Sequence, residues 1–189
     1  EADASKDEQP EEPPALAYAK RSDEAFLYAV NQEDVKALLR DPGSLRTRAC
    51  FDYFTTQATK VQLIRQGSEL VLEKAEDQWK ASPANVTLET SKVEDFLDKL
   101  AGVRVSGFLE VEESELAHYG LEQPAESIQV WVEGQEQPQR LWLGSALEGS
   151  TSRYGRIEGR QPVVELSATA GELLATTAEQ LGPTGSVSH

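Results

Sequence analysis

The sequence predicts an α+β fold built from repeated β-hairpin-plus-helix units, with antiparallel sheets each covered on one face by helices. Three observations predict it. Runs alternating apolar and polar sit beside runs with apolar residues three and four apart, so strands and helices recur along one chain. Two turn signals, Gln66-Gly67 and "GQEQPQ", each separate a pair of aliphatic strands. Finally, two pairs of segments align with each other. "VQLIRQGSELVLEK" lies over "IQVWVEGQEQPQRLWLGS", and "YAKRSDEAFLYAVNQEDVKALL" over "YGRIEGRQPVVELSATAGELL" with one gap.

The elements follow in order. "EADASKDEQPEEPPALA" (1–17) is acidic, proline-bearing and poor in large apolar residues, so it is expected to be a disordered linker. "AFLYAV" (25–30) reads as a strand, and "NQEDVKALLR" as a helix capped by Asn31 with Val35, Leu38 and Leu39 on one face. "KVQLIRQGSELVLEK" is a hairpin, and "DQWKAS" places Trp79 against its sheet. "SKVEDFLDKLAGV" is a helix with Ser91 as cap, Glu94 at the capping-box position and Val93, Phe96, Leu97 and Leu100 inward. "ESELAHYGL" is a short helix stopped by Gly120, with Leu121 as the apolar partner of a Schellman turn and Pro124 forbidding return to helix. "SIQVWVEG" and "QRLWLGS" form a second hairpin, and "SRYGRIEG" and "QPVVELS" extend its sheet. "SATAGELLATTAEQL" is a closing helix with Leu173, Leu174 and Leu181 inward. The repeated domain is expected over 18–183, in units of about 18–58, 59–104 and 105–183, with a flexible tail at 184–189.

Composition narrows function. A net charge of −15 over 189 residues opposes binding to nucleic-acid phosphates and anionic lipid. No apolar run approaches the roughly 20 residues that span a bilayer. The single cysteine, Cys50, cannot form an intrachain disulfide and reads as a small buried hydrophobe. A chain starting at Glu1 with no methionine is expected to have lost or to lack an N-terminal segment, a signal or anchor among the possibilities.

The usual catalytic and metal patterns are not found. "LGSALEGS" lacks the spacing and lysine of a phosphate loop. His118 and His189 stand away from any metal or triad pattern, and Cys50 has no CxxC partner. "EVEESE" (110–115) reads as a solvated helix start, and "IEGR" (157–160) as a chance protease-site match. No catalytic residue, cofactor ligand or metal ligand is therefore assigned. Trp131 is out of phase with Ile128, Val130 and Val132, so it faces the other side of its strand. With Arg140 and Arg156 it forms the candidate interaction surface; burial under a covering helix is the competing expectation.

Trp79 followed by Ser82-Pro83 and "VEDFLDKLAGVRV", then "HYGLEQPAESIQVWV", "LWLGS" and "YGRIEG…VVEL", resemble in that order the bacterial family called domain of unknown function 4340. The Tyr-Gly-Leu-x-x-Pro step into a strand is the most specific part. The resemblance spans roughly residues 60–175. It implies an extracytoplasmic, periplasmic-side protein tethered by an N-terminal transmembrane segment and encoded beside ABC-type export or gliding-motility components. It supplies no catalytic residues to carry over. The expected function is accordingly a non-catalytic interaction module whose partner is a protein of a membrane transport complex, with the membrane reached only through an anchor. The alternatives are a small-ligand or cell-wall polysaccharide binder, or an enzyme with an unrecognised pocket.

Overall fold

The structure is a computed structural model describing residues 15–22, 24–38, 46–76, 78–84, 86–160 and 162–183. The first fourteen residues of the linker expected over 1–17, the inward positions of Leu38 and Leu39 and the tail at 184–189 lie outside the described residues. The chain folds as two compact units, one ending at Arg46 and the other beginning at Thr47.

In the first unit, β1 (Leu16–Ala19) pairs antiparallel with β2 (Tyr28–Asn31), which leads into α1 (Gln32–Leu38). Asn31 caps α1 as expected, its Oδ1 accepting the Glu33 N–H at 2.9 Å. Leu16 and Ala17, expected in the linker, are strand instead. Four residues with two alanines carry too little alternation to be read, and the pairing with Val30 and Asn31 decides the matter.

The second unit is α+β and mostly antiparallel sheet. Its strands are β3 (Ala58–Arg65), β4 (Ser68–Ala75), β5 (Gln78–Ser82), β6 (Val86–Thr87), β7 (Val105–Leu109), β8 (Glu126–Val132), β9 (Gln139–Ala146), β10 (Arg153–Ile157) and β11 (Val163–Leu166). Its helices are α2 (Thr90–Ala101), α3 (Ala168–Leu174) and α4 (Ala178–Leu181). The strand order is β6-β5-β4-β3-β8-β9-β10-β11-β7, with every neighbour antiparallel. The two expected hairpins, β3–β4 and β8–β9, thus join through β3·β8 into one sheet. Gln66 and Gly67 turn the first with φ of +47° and +84°, the two left-handed residues of a tight hairpin.

Register sets the core. Val61 faces Val130 and Leu63 faces Ile128, which faces Leu141 in turn, so these side chains share one side of the sheet. They join a single apolar cluster with Leu72, Trp79, Leu143, Val164 and Leu166, and with Val93, Phe96, Leu97 and Leu100 of α2 and Leu173, Leu174 and Leu181 beyond β11. Each fully buried leucine contributes about 1.5–3 kcal/mol relative to exposure.

Two helix expectations are corrected. Ser91 lies inside α2; Glu89 is the N-cap residue, its carbonyl accepting the Lys92 and Val93 N–H groups and its own N–H bonded to Leu181 O at 2.9 Å. The closing helix breaks at Ala175–Thr177, where Thr177 starts α4 and takes the Gln180 Oε1 on its backbone N–H at 3.0 Å. "ATTA" carries two β-branched residues of weak helix propensity, so the break costs little.

The turn before β8 forms as expected at its end. Residues Glu113–Glu115 make a 3₁₀ turn rather than a full helix, with the Glu112 N–H taken by Glu115 Oε2 at 3.1 Å. Leu121 N–H then reaches Leu116 O at 2.9 Å and Gly120 N–H reaches Ala117 O at 3.1 Å, the bond pair of a Schellman turn, with Gly120 at φ +68°. Leu116 and Leu121 pack with Val163, Leu109, Tyr119, Trp142 and Tyr154 in a second, smaller apolar cluster.

Candidate functional site

Alternation places a row of long side chains on the sheet side opposite the main core. Lys60 of β3 faces Trp131 of β8, and its Nζ stands 4.9 Å from the indole centroid. Arg140 of β9 faces Gln129 of β8, and its Nη2 donates to Gln129 Oε1 at 2.8 Å. The same guanidinium lies 5.5 Å from the Trp142 ring and pairs with Glu158 at 3.3 Å. Arg156 of β10 is the register partner of Trp142. Trp131, Arg140 and Arg156 therefore lie on three consecutive strands and one face. All three are half-buried, so Trp131 meets neither of the two simple expectations of burial and full exposure.

The row also contains Lys60, Gln129 and Trp142, which were not among the residues expected from sequence. The signal was available: "RLWL" alternates as "IQVWV" does, putting Arg140 and Trp142 in phase with each other and out of phase with Leu141 and Leu143. What could not be read was the β3·β8 pairing that brings Lys60 to Trp131. Gln129 is 7 % exposed, so the long side chains lie flat across it. Arg140 Nε is buried without an acceptor, and this atom is turned away from solvent rather than offered to it.

Clefts are modest. One of about 250 Å³ runs beside Arg156, lined by Glu110, Val111, Glu113 and Leu116. A larger groove of about 400 Å³ is mostly apolar, with Leu63, Leu70, Pro83, Leu174 and Ala178 in its walls. A third, of about 330 Å³, holds Glu126 and Arg153. Glu126 is 6 % exposed and forms an ion pair with Arg153, so its Oε2 is satisfied by charge although it makes no hydrogen bond of ordinary geometry. Arg153 also donates from Nε and Nη2 to Gly144 O, at 3.0 and 2.6 Å, and so is fully committed within the fold. Among the described residues no group of three or more His, Cys, Asp or Glu side chains is placed to hold a metal ion. No helix among them is long and apolar enough to cross a membrane.

The family model described as Domain of unknown function (DUF4340) matches residues 11–124 and 82–182, nearly the whole chain. The chain belongs to this family. No curated protein and no solved structure matches it.

In this DUF4340 chain the Tyr-Gly-Leu step and the "LWLGS" strand, far apart in sequence, are one contact. Ser145 N–H donates to Tyr119 O at 2.8 Å. A Cβ on Gly120 would stand 2.6 Å from Ser145 Oγ, and one on Gly144 would overlap the Tyr119 carbonyl and come within 2.9 Å of Leu121 Cγ. Only glycine on both sides lets the two backbones meet. The remaining sequence candidates lie elsewhere. His118 is exposed, edge-on to Tyr119 at 5.2 Å. "IEGR" is anchored at both ends, Ile157 being buried and Arg160 donating to Ala49 O at 2.8 Å.

Cys50 is 2 % exposed, and burial pushes its thiol up to about 11 against the partial opposition of Arg160 and Arg104. The folded chain thus holds the proton while an unfolded thiol loses it near pH ~8.5. Between these values the unfolded state binds fewer protons, so stability is full below about pH 8.5 and falls as pH rises toward 11. The expected loss is ~3 kcal/mol at most, read as urea midpoints from pH 8 to 10.5 that decline less steeply in Cys50→Ala. Burial also raises the Tyr53 hydroxyl, and Asp98 adds to it, so a residual slope remains in the variant near the top of that range. Identical slopes in both proteins would refute the assignment to Cys50.

Proposed function

We propose that this chain is a non-catalytic interaction module, extracytoplasmic in location and tethered to a membrane, whose partner is a protein of an ABC-type export or motility-related complex. The observation that carries the reading is the row Trp131, Arg140, Trp142 and Arg156 on adjacent strands of one sheet face. Tryptophan and arginine are the residues most enriched where protein interfaces derive their energy. A polysaccharide partner fits less well, because sugars stack on bare aromatic faces and these two rings already carry Lys60 and Arg140. The enzyme reading asks for several ionisable groups converging in one cleft. The clearest such pair, Glu126 and Arg153, is engaged with itself and with Gly144.

A duplicated scaffold accompanies this function. The orders β6-β5-β4-β3 and β8-β9-β10-β11 mirror each other about β3·β8, and each set leads into a helix on the core side. That symmetry, with the two overlapping family matches, supports a duplicated hairpin-plus-helix unit with helices covering one face; the turn through Leu116 and Leu121 covers only part of the other, and the part around Trp131 and Arg140 is left for a partner.

The test is co-purification of a membrane-tethered version from native membranes. Recovery of a transport component that is lost with Trp131→Ala or Arg156→Glu is the expected result. Repeated recovery of no membrane component, from a folded bait, would overturn the reading.

A further inference from the structure

The first unit repeats part of the second with a constant offset of 136 residues. Tyr18 faces Ala29 as Tyr154 faces Glu165, Ala19 faces Tyr28 as Gly155 faces Val164, and α1 begins at Gln32 as α3 begins at Ala168. What differs is the surroundings. In the second unit β10 is flanked by β9, and β11 by β7. Tyr154 and Val163 are covered by the turn through Leu116, Tyr119 and Leu121, with the Tyr119 and Tyr154 rings 4.9 Å apart. In the first unit the sheet has two strands among the described residues, and the equivalent Tyr18 and Leu27 are 74 % and 69 % exposed. Leu16 is 55 % and Phe26 72 % exposed beside them. A two-stranded sheet with this much bare apolar surface is marginal in water.

The residues at the equivalent position do not carry the sequence pattern of β9. At the same offset the place of β9 falls on residues 3–10, "DASKDEQP", where Ser5 and Asp7 stand for Leu141 and Leu143, and Pro10 closes the run. Aspartate, glutamate and proline are poor strand residues, and none reproduces the apolar alternation. A second copy does not supply it either, because its equivalent hairpin is built into its nine-stranded sheet between β3 and β10.

We propose that the free edge of β1 and the Tyr18–Leu27 face form a docking site for a β-hairpin of the kind residues 126–146 make, carried on polypeptide outside these 189 residues. The hairpin adds antiparallel to β1, and an aromatic-Gly-Leu turn preceding it closes over Tyr18 and Leu27, as Tyr119 and Leu121 do over Tyr154 and Val163. Because Gln32 N–H bonds Ala15 O, alternation turns the Leu16 and Tyr18 N–H groups toward the free edge. This inference uses a different surface from the row of Trp131 and Arg156, and it stands or falls separately.

The probe is a synthetic peptide with the sequence of residues 116–146, which carries both the covering turn and the hairpin, added to the whole chain and followed by amide hydrogen exchange. Saturable slowing at Leu16–Ala19 and Tyr28–Asn31, with β9 unchanged, is the expected result. Leu16→Pro removes one outward donor and Tyr18→Ala removes the covered ring; each is expected to weaken binding at least tenfold while the melting of the second unit stays the same. No slowing with millimolar peptide overturns the proposal, as does slowing confined to the second unit. So does free chain in which Leu16–Ala19 is already as protected as β10, since that edge would then be covered by the chain itself. Co-purification of a membrane component that survives Leu16→Pro, beside failed peptide binding, sinks this inference and leaves the proposed function intact.

Discussion

Gly144→Ala is expected to destabilise the second unit by ~3 kcal/mol or more, a fall in Tm of about 6–12 °C for a chain of this size. The cause is space, not backbone conformation. Gly144 lies within β9 and has no positive φ, but a methyl there would overlap the Tyr119 carbonyl and crowd Leu121. Relief requires moving the Tyr119–Leu121 turn off β9. That breaks the Ser145–Tyr119 hydrogen bond and uncovers Val163, which is 0 % exposed. Gly134→Ala is the control. Gly134 has φ +81° and nothing within 4 Å of an added Cβ, so it should lose only the ~1–2 kcal/mol of an L-residue in the left-handed region. Thermal melts of the two variants separate the effects, and a Gly144→Ala protein no less stable than Gly134→Ala would refute the close contact.

Glu126→Ala is expected to cost up to ~3 kcal/mol, because it strands the Arg153 guanidinium, whose side chain is only 24 % exposed. Arg153 keeps its two bonds to Gly144 O but loses its acidic partner. Removing both charges with Glu126→Leu and Arg153→Met should restore much of the loss, since the paired ions hold little net energy over well-packed apolar groups. Urea unfolding of the unaltered protein, Glu126→Leu, Arg153→Met and the double variant gives the coupling directly. If the two single losses simply add in the double variant, the ion pair plays no part in stability.

Local chemistry made much of this fold legible. Period-two runs mark β3, β4, β8 and β9 with the correct side toward the main core, because that side carries the aliphatic residues; β8 is buried on its other side as well, through Ser127 and Gln129. The apolar spacing in "KVEDFLDKL" marks α2 and its four buried residues. Gly120 and Leu121 mark the Schellman turn. These are signals carried within a few residues. β1 and the break between α3 and α4 were not legible: "LAYA" has two alanines and no aliphatic alternation, and a three-residue interruption leaves too few positions for a pattern.

The candidate surface shows the same division. That Trp131 points away from Val130 and Val132 follows from strand geometry, and so do the sides taken by Arg140 and Trp142. That these side chains form one row with Lys60 and Arg156 depends on which strands pair, and strand order is not encoded by any short segment.

By itself, then, the sequence determined the types of the longer elements, the turn at Gly120, the side of each long strand that faces the main core, and the family. Tertiary structure alone decided that the two hairpins join through β3 and β8, that Gly120 and Gly144 share one contact, and that Glu126 meets Arg153. The physical reason is range. Propensity, capping and periodicity act between residues a few positions apart, whereas strand pairing and the fit of two backbones act between residues tens of positions apart, and are chosen by the free energy of the whole packed sheet.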